Sequence, residues 1–585
     1  MLREQKLSHY INKSKSLNIE KQEKKIRVAL LGSFTLNGME ETLRVKCSEI
    51  GTGCSSYVSG YNQYNQEILN DDSGLYRFQP DITFLIIDVR SVLGTTYHSP
   101  YTISETERKQ IIEKKAGEVS RLVKTFVKKT DSKLVISNLQ VPSYSPYGIY
   151  ETKTSYGLRE MVLEFNSMLN SLAKTEESVY VYDFDGFVRK YGERNIFDFR
   201  QYFIGDIKVS FDYIPHLMHD WMGYIKAALG LSRKCIVLDL DNTLWGGIVG
   251  EDGFEGIKLG SNPSGRAFTE FQNVLLGLHK RGIILAINSK NNYDEAIRVI
   301  KEHPDMVLRE EHFASMRINW DDKVLNMKEI ASELNIGMDS LVFIDDDPVN
   351  REFVRINLPQ ILTVEIPDDA SQYAETLMDM NDFDLLKITE EDIGRGRMYL
   401  QDRQRKEFER SATDLGEFLD QLDIRLTIKS ANDFTIPRIS QLTLKTNQFN
   451  LTTKRYQEED IRKLANQSDY WVGCAQVEDK FGNNGITGVF IVKKESKTEW
   501  LIDTFLLSCR IMGRKIEDGV LGYILQKAKE SGVQTVKGEF MPTKRNQPCE
   551  NFLSDYGFSK ESGHWSYSLS NAIKIPTHLK LSIDQ

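Results

Sequence analysis

The stretch Cys235-Ile-Val-Leu-Asp-Leu-Asp-Asn-Thr243 runs four apolar residues straight into two carboxylates. A short apolar run that ends on polar residues reads as a buried parallel strand, and side chains two apart share one strand face. Asp239 and Asp241 are therefore expected in one site at the carboxyl edge of a sheet, where α/β folds bind ligands. A second strand, Leu285-Ala-Ile-Asn-Ser289, ends in a hydroxyl able to hydrogen-bond a phosphoryl oxygen. Lys323, in Asn319-Trp-Asp-Asp-Lys323, supplies a cation to neutralise developing charge. A third strand, Val342-Phe-Ile-Asp-Asp346, ends in two more carboxylates. This set suits phosphoryl chemistry, with one carboxylate attacking phosphorus and the other moving the proton. Hard oxygen ligands of this kind suit Mg²⁺, with Asp239, Asp241, Asp345 and Asp346 as the expected metal ligands.

Outward from this segment, the chain has 585 residues and a formal charge of −9. That length implies several domains. With 40% hydrophobic and 27% charged residues it can bury real cores, which excludes wholesale disorder. No apolar run reaches membrane-span length, and Lys-rich residues 1–25 lack the apolar centre of a signal peptide, so a cytoplasmic protein without a membrane partner is expected. The acidic balance without a long basic run gives no footprint for nucleic acid. Six cysteines without a CxxC pair read as reduced thiols.

Apolar runs at Ile26–Leu31, Ile82–Ile87, Leu134–Ile136 and Val179–Tyr182, separated by helix-length segments, predict a first α/β domain over 26–230, behind a polar tail at 1–25. A second series, Cys235–Leu238, Ile283–Ile287 and Leu341–Ile344 with a helix over Val324–Leu334, predicts another α/β unit over 231–375. Dense mixed charge marks 376–422 as a solvated helical linker. Segments Tyr470–Val477, Gly485–Lys493 and Trp500–Leu507, followed by a helix from Ile516 to Lys529, predict an α+β domain over 423–572 and a tail at 573–585.

The elements Asp239-Leu-Asp241-Asn-Thr243, Ser289, Lys323 and Asp345-Asp346 together resemble the haloacid dehalogenase (HAD) superfamily in order and spacing. The run Lys234 to Gly253, with Phe343-Ile-Asp-Asp-Asp-Pro348 and Asn350-Arg351, resembles its FkbH-like branch. Two departures are visible: Asn350 stands where that branch usually has Glu, and Asp347 where it often has Asn. The resemblance implies a Rossmann-like HAD phosphatase domain, in which Asp239, Asp241, Ser289 and Lys323 are catalytic. Thr243, Asn288, Lys290 and Arg351 are the substrate-binding candidates beside them.

In the third domain, Leu507-Ser-Cys-Arg510-Ile-Met-Gly513-Arg514 lies between a predicted strand and a helix, a place where backbone N–H groups bind pyrophosphate. It resembles the corresponding loop of GNAT acyltransferases, and Asn546 with Asn551–Phe558 resembles the segment flanking the pantetheine arm. Arg510, Gly513, Arg514 and Asn546 are therefore expected to bind phosphopantetheine, presented by a carrier protein or as coenzyme A. Cys509, beside the cation Arg510, is a candidate acyl-bearing thiolate, whereas Cys235 lies inside an apolar strand. In the first domain Gly32-Ser33, Asn138 and Asp212…His216 resemble parts of an SGNH hydrolase. The Asp before the serine is missing and the Asp-to-His spacing is one residue too long, so a flavodoxin-like scaffold without catalysis is expected.

The FkbH-like resemblance implies transfer of the glyceryl unit of 1,3-bisphosphoglycerate to an acyl carrier protein thiol, with loss of phosphate, for polyketide or related biosynthesis. Two other readings stay open. One is a HAD phosphatase for another phosphometabolite fused to a coenzyme A-dependent acyltransferase; the other is a non-catalytic scaffold that docks a carrier protein.

Overall fold

The computed structural model describes residues 4–19, 22, 24–394, 398–399, 401, 405, 408, 414–508, 511–561 and 564–584. The chain divides into two compact units, Leu2–Ala228 and Leu229–Gln585. In the first, strands β1 (Lys24–Gly32), β2 (Thr52–Val58), β3 (Ile82–Ile86), β4 (Lys133–Ser137) and β5 (Val179–Tyr182) form a sheet in the order β2-β1-β3-β4-β5. Every pair is parallel. This is the flavodoxin-like doubly wound order. The interior of the sheet is apolar, with β3 (Ile82–Ile86) and the second half of β1 wholly buried, whereas the edge strand β2 is polar and half exposed.

The expected polar tail at 1–25 is corrected by this unit. Leu7–Ser14 is a helix whose Leu7 and Tyr10 are buried, and β1 already begins at Lys24. Two apolar residues one turn apart sufficed to dock it, too few to stand out against the surrounding lysines.

The second unit contains two sheets. Strands β6 (Cys235–Leu238), β7 (Ile284–Ser289), β8 (Phe313–Ile318), β9 (Leu341–Ile344) and β10 (Leu362–Thr363) run parallel in the order β10-β9-β6-β7-β8. β6 is central, and its four residues are fully buried. Phe383 joins the same core, so this domain extends past the expected boundary at 375.

The second sheet contains β11 (Arg425–Ser430), β12 (Phe449–Asn450), β13 (Tyr470–Asp479), β14 (Gly482–Lys494), β15 (Glu499–Leu507), β16 (Thr535–Gly538), β17 (Ser559–Glu561), β18 (His564–Ser568) and β19 (Lys580–Asp584). Its main path is β17-β18-β16-β15-β14-β13-β11-β19. β15 pairs in parallel with β16 along its first half and antiparallel with β12 at its last two residues. The helix Ile516–Glu530 follows β15.

Two further expectations are corrected here. The tail at 573–585 is not a tail, because β19 pairs with β11 and Leu579 is buried in the domain core. The linker at 376–422 is not a wholly solvated helix either: Asp392, Tyr399 and Arg405 are buried, and Phe418, Leu419 and Leu422 belong to the core of the α+β domain. Its charges masked these spaced core residues in the sequence pattern.

Candidate active site

β6 ends at Leu238, and Asp239 follows with its backbone N–H donating to the Ile344 carbonyl of β9. β9 in turn ends at Ile344, so Asp345 and Asp346 emerge beside Asp239. Carboxylate oxygens of Asp239, Asp345 and Asp346 lie within 4.8 Å of one another. Lys323 is 2% exposed, and its ammonium donates to Asp239 at 2.8 Å and to Asp345 at 2.5 Å.

Several contacts hold this group in place. Asp322 caps the helix Lys323–Glu333 by accepting from the Val324 and Leu325 N–H groups. Asn288, at the end of β7, donates to the Lys323 carbonyl and accepts from Asn326. Arg351 donates to the carbonyls of Asp345 and Asp346, and the Thr243 hydroxyl exchanges hydrogen bonds with the Asp346 carboxylate and N–H. Three expected substrate contacts are therefore corrected. Thr243, Asn288 and Arg351 are buried with their polar groups turned to the protein, and they position the carboxylates and Lys323. Ser289 is buried at the tip of β7, and the adjoining Lys290 is exposed.

The expected metal-ligand role of Asp241 is corrected as well. The alternation rule that put it beside Asp239 lapses because the strand has already ended, and Asn242 turns the chain with φ 54°. Asn tolerates that left-handed backbone. Asp241 is absent from the carboxylate cluster, and its oxygens accept from Trp245 Nε1 at 2.8 Å, Val249 N at 3.1 Å and Asn291 Nδ2 at 2.8 Å. Sequence reasoning did not assign Trp245 or Asn291. The Trp245-Gly-Gly loop was visible, but only the adjacency of β6 and β7 brings Asn291 to Asp241.

Burial raises the pKa of Asp241, with the Asp239 charge adding to it and its three donors opposing. Burial also raises that of Asp345, reinforced by Asp239 and opposed by Lys323. Burial and the two neighbouring carboxylates push Asp346 up to about 6. Burial pulls the pKa of Lys323 down, but Asp239 and Asp345 outweigh it and the net shift is upward. Crowded, desolvated carboxylates of this kind fit a hard divalent cation, which relieves their repulsion. Asp239, Asp345 and Asp346 are the residues that would hold it.

Removing a donor from Asp241 should be visible in kinetics. Asn291→Ala is expected to lower phosphatase turnover by about tenfold, the worth of one hydrogen bond to a charged group. The same change raises the Asp241 pKa further, so the alkaline limb of the kcat profile should move to higher pH. An unshifted limb in a pH–rate measurement would remove Asn291 from this role.

In the α+β domain, Cys509 and Arg510 lie outside the described residues. Gly513 occupies an exposed turn with φ 82°, a backbone that favours glycine. Arg514 is corrected: its guanidinium is buried and faces Asp479 at 3.5 Å, and Arg405 grips the same carboxylate at 2.6 and 3.0 Å. Asn546 is corrected too. It is 0% exposed, donates to the Asn450 and Met541 carbonyls and accepts from Thr543, so its side chain welds β12 to the segment before it. Cys235 is fully buried, and burial pushes its thiol far above the usual range. In the first unit, Ser33 is buried and accepts from the Asp88 N–H, while Asn138 bonds Asp183 and Asp185.

Residues 27–226 match the family described as FkbH, N-terminal domain. Across 66% of this chain and 100% of its own, the crystal structure of the N-terminal part of the protein BF1531 from Bacteroides fragilis superimposes with a TM-score of 0.61 at 29% identity; it contains a phosphatase domain complexed with Mg. The chain carries an enzymatic centre of the phosphatase type. The ribosomal-protein-S18-alanine N-acetyltransferase of Escherichia coli matches at 13% identity, over 25% of this chain and 96% of its own, with a TM-score of 0.21. Rv2747 from Mycobacterium tuberculosis, in complex with CoA and NLQ, matches at 18% identity over 23% of this chain and 73% of its own, with a TM-score of 0.19. No curated protein matches the chain. Among the described residues no helix is long and apolar enough to cross a membrane.

Proposed function

We propose that the chain is an FkbH-like enzyme that takes the glyceryl unit of 1,3-bisphosphoglycerate, removes its phosphate and delivers glyceryl to the thiol of an acyl carrier protein. The observation that carries the phosphatase half is the cluster of Asp239, Asp345 and Asp346 within 4.8 Å, bridged by Lys323. Asp239 attacks phosphorus in line with the leaving oxygen. Asp241, its pKa raised and its orientation fixed by Trp245 and Asn291, donates the proton that the leaving oxygen needs, then takes one from the water that hydrolyses the aspartyl phosphate. Lys323, with Ser289 at the tip of β7, faces the phosphoryl oxygens and offsets their charge. Mg²⁺, held by Asp239, Asp345 and Asp346, supplies Lewis-acid stabilisation of the phosphoryl oxygens when bound.

The acyl half rests on the resemblance of 507–514 to a pantetheine-binding loop and on Cys509 as its thiol: the thiolate attacks the acyl carbon, expels the acyl phosphate as inorganic phosphate, and passes the acyl group to the carrier thiol by thioester exchange, while the remaining phosphate ester is the one hydrolysed at Asp239. Cys235, buried and hard to ionise, is not part of this route. The test is intact-protein mass spectrometry of the enzyme and a phosphopantetheinylated carrier protein after incubation with Mg²⁺ and freshly generated 1,3-bisphosphoglycerate. A glyceryl-sized adduct on the carrier is the expected result, with a transient adduct on the enzyme that is lost in Cys509→Ala. Phosphate release without an adduct on either protein would overturn the transfer step and favour a phosphatase coupled to coenzyme A chemistry.

A further inference from the structure

Exposed apolar residues of the phosphatase domain gather at one edge of its sheet. Ile248 in the loop after β6, Tyr293 after β7, Trp320 and Leu325 after β8, and Val349 after β9 are 40–72% exposed. All five stand in the loops or first helical turns that leave the carboxyl edge, the edge that carries Asp239, Asp345 and Asp346. Exposed apolar residues scattered singly are ordinary, whereas a group of them marks a surface that binds something. Trp320 is the largest of the five and is 70% exposed.

Two hydrogen bonds fix where this indole stands. The Asn319 N–H donates to the Ser289 carbonyl at 3.1 Å, so the loop after β8 is fastened to the tip of β7. The Trp320 Nε1–H then donates to Asn292 Oδ1 at 3.1 Å. Asn291, the preceding residue of that same loop, donates to Asp241 at 2.8 Å. Asp241 gives its proton to the leaving oxygen, so the leaving group departs on the Asp241 side of phosphorus. Trp320 is therefore tethered to the loop that holds the general acid, and it precedes Lys323 by three residues. The tether takes the polar edge of the indole and commits its rotamer while the ring itself stays in water. A fold that needed only this hydrogen bond would be served by a smaller donor.

We infer that Trp320 is a specificity-determining residue of the phosphatase centre, a platform for the carbon skeleton of the leaving group. The substrate class is then a phosphate monoester of an alcohol whose carbon chain extends past the ester oxygen, with C–H groups to lay against the indole face. A phosphoryl donor with a minimal leaving group makes no use of that face. Contact with a part of the substrate that does not react adds binding energy away from phosphorus, and so selects among substrates that share the same phosphate. The inference rests on the phosphatase reading of the centre and is independent of the acyl half.

The test compares the full chain with its Trp320→Ala and Trp320→Phe variants, using 3-phosphoglycerate and acetyl phosphate with Mg²⁺. In Trp320→Ala the ratio of kcat/KM for 3-phosphoglycerate over acetyl phosphate is expected to fall about tenfold, mainly through KM. Trp320→Phe, which keeps a ring and loses the Nε1–H, should restore most of that ratio. An equal fall for both substrates would overturn the inference and make Trp320 a brace for the Asn291 loop. A second readout needs no turnover: in Asp239→Asn with Mg²⁺, 3-phosphoglycerate should shield an indole from acrylamide quenching, and the shielding should vanish when Trp320→Phe is added. Trp221, Trp245 and Trp500 are buried and Trp471 and Trp565 half-buried, so Trp320 dominates the quenchable signal. Wild-type hydrolysis of acetyl phosphate without any shielding by 3-phosphoglycerate would overturn the inference and leave the phosphatase reading standing. Hydrolysis of neither compound by the wild type would overturn both, so the two failures are told apart.

Discussion

Replacing Asp239 by Asn is expected to reduce Mg²⁺-dependent phosphate release by about 10⁴-fold or more, the scale on which enzymes lose activity when a nucleophile is removed. The substitution keeps the shape of the side chain and takes away its anionic oxygen. The fold should tolerate it. Lys323 keeps Asp345 as a partner at 2.5 Å, and one source of like-charge crowding on Asp345 and Asp346 disappears. The thermal midpoint in EDTA is therefore expected to hold or rise while turnover collapses. Phosphate release by the variant within tenfold of wild type would assign attack on phosphorus to another group. A collapse of both turnover and thermal midpoint would instead make Asp239 a structural residue.

How far the site was legible follows from what each residue depends on. Asp239, Lys323, Asp345 and Asp346 stand at the ends of strands or the start of a helix, so apolar runs place them at one sheet edge without knowledge of the fold. Asp241 does not join the metal-binding carboxylates because it lies three residues past Leu238, where β6 ends and the alternation of a strand no longer holds. Trp245 and Asn291 act on Asp241 from two different loops, and 46 positions of sequence separate them; only the β6–β7 pairing makes them neighbours. In the α+β domain the motif positions were right for a turn, but Arg514 and Asn546 proved to be committed inward, to Asp479 and to β12. Sequence shows that a polar residue borders a loop; it does not show which side of the loop its side chain faces. The ends of the chain failed for the opposite reason. Leu7, Tyr10 and Leu579 are single core residues in polar surroundings, a density too low to carry a period.

Replacing Lys323 by Met is expected to destabilise the metal-free protein by about 3–5 kcal/mol, the cost of removing one partner from a buried ion pair. Lys323 is 2% exposed and is the cation that bridges Asp239 and Asp345, so the variant leaves three carboxylates within 4.8 Å without it. The pH dependence follows from the direction of the carboxylate shifts. Burial and its carboxylate neighbours push Asp346 up to about 6 in the folded chain, above the usual carboxylate range, and Asp345 is raised as well. A carboxyl group raised in the folded state favours folding when protonated, and that advantage is lost as pH rises through its folded pKa. The stability gap between variant and wild type should therefore be smaller at pH 5 than at pH 7 in EDTA. Mg²⁺ at pH 7 should narrow it too, because a divalent cation among these oxygens replaces the missing positive charge. Phosphate release should remain about 10²–10³-fold below wild type even with Mg²⁺ present, since a metal ion does not restore the hydrogen bonds an ammonium gives to a phosphoryl oxygen. Thermal melts at the two pH values, with and without Mg²⁺, decide the matter. A gap indifferent to both pH and Mg²⁺ would make Lys323 a packing residue rather than the charge that allows three acids to share one sheet edge.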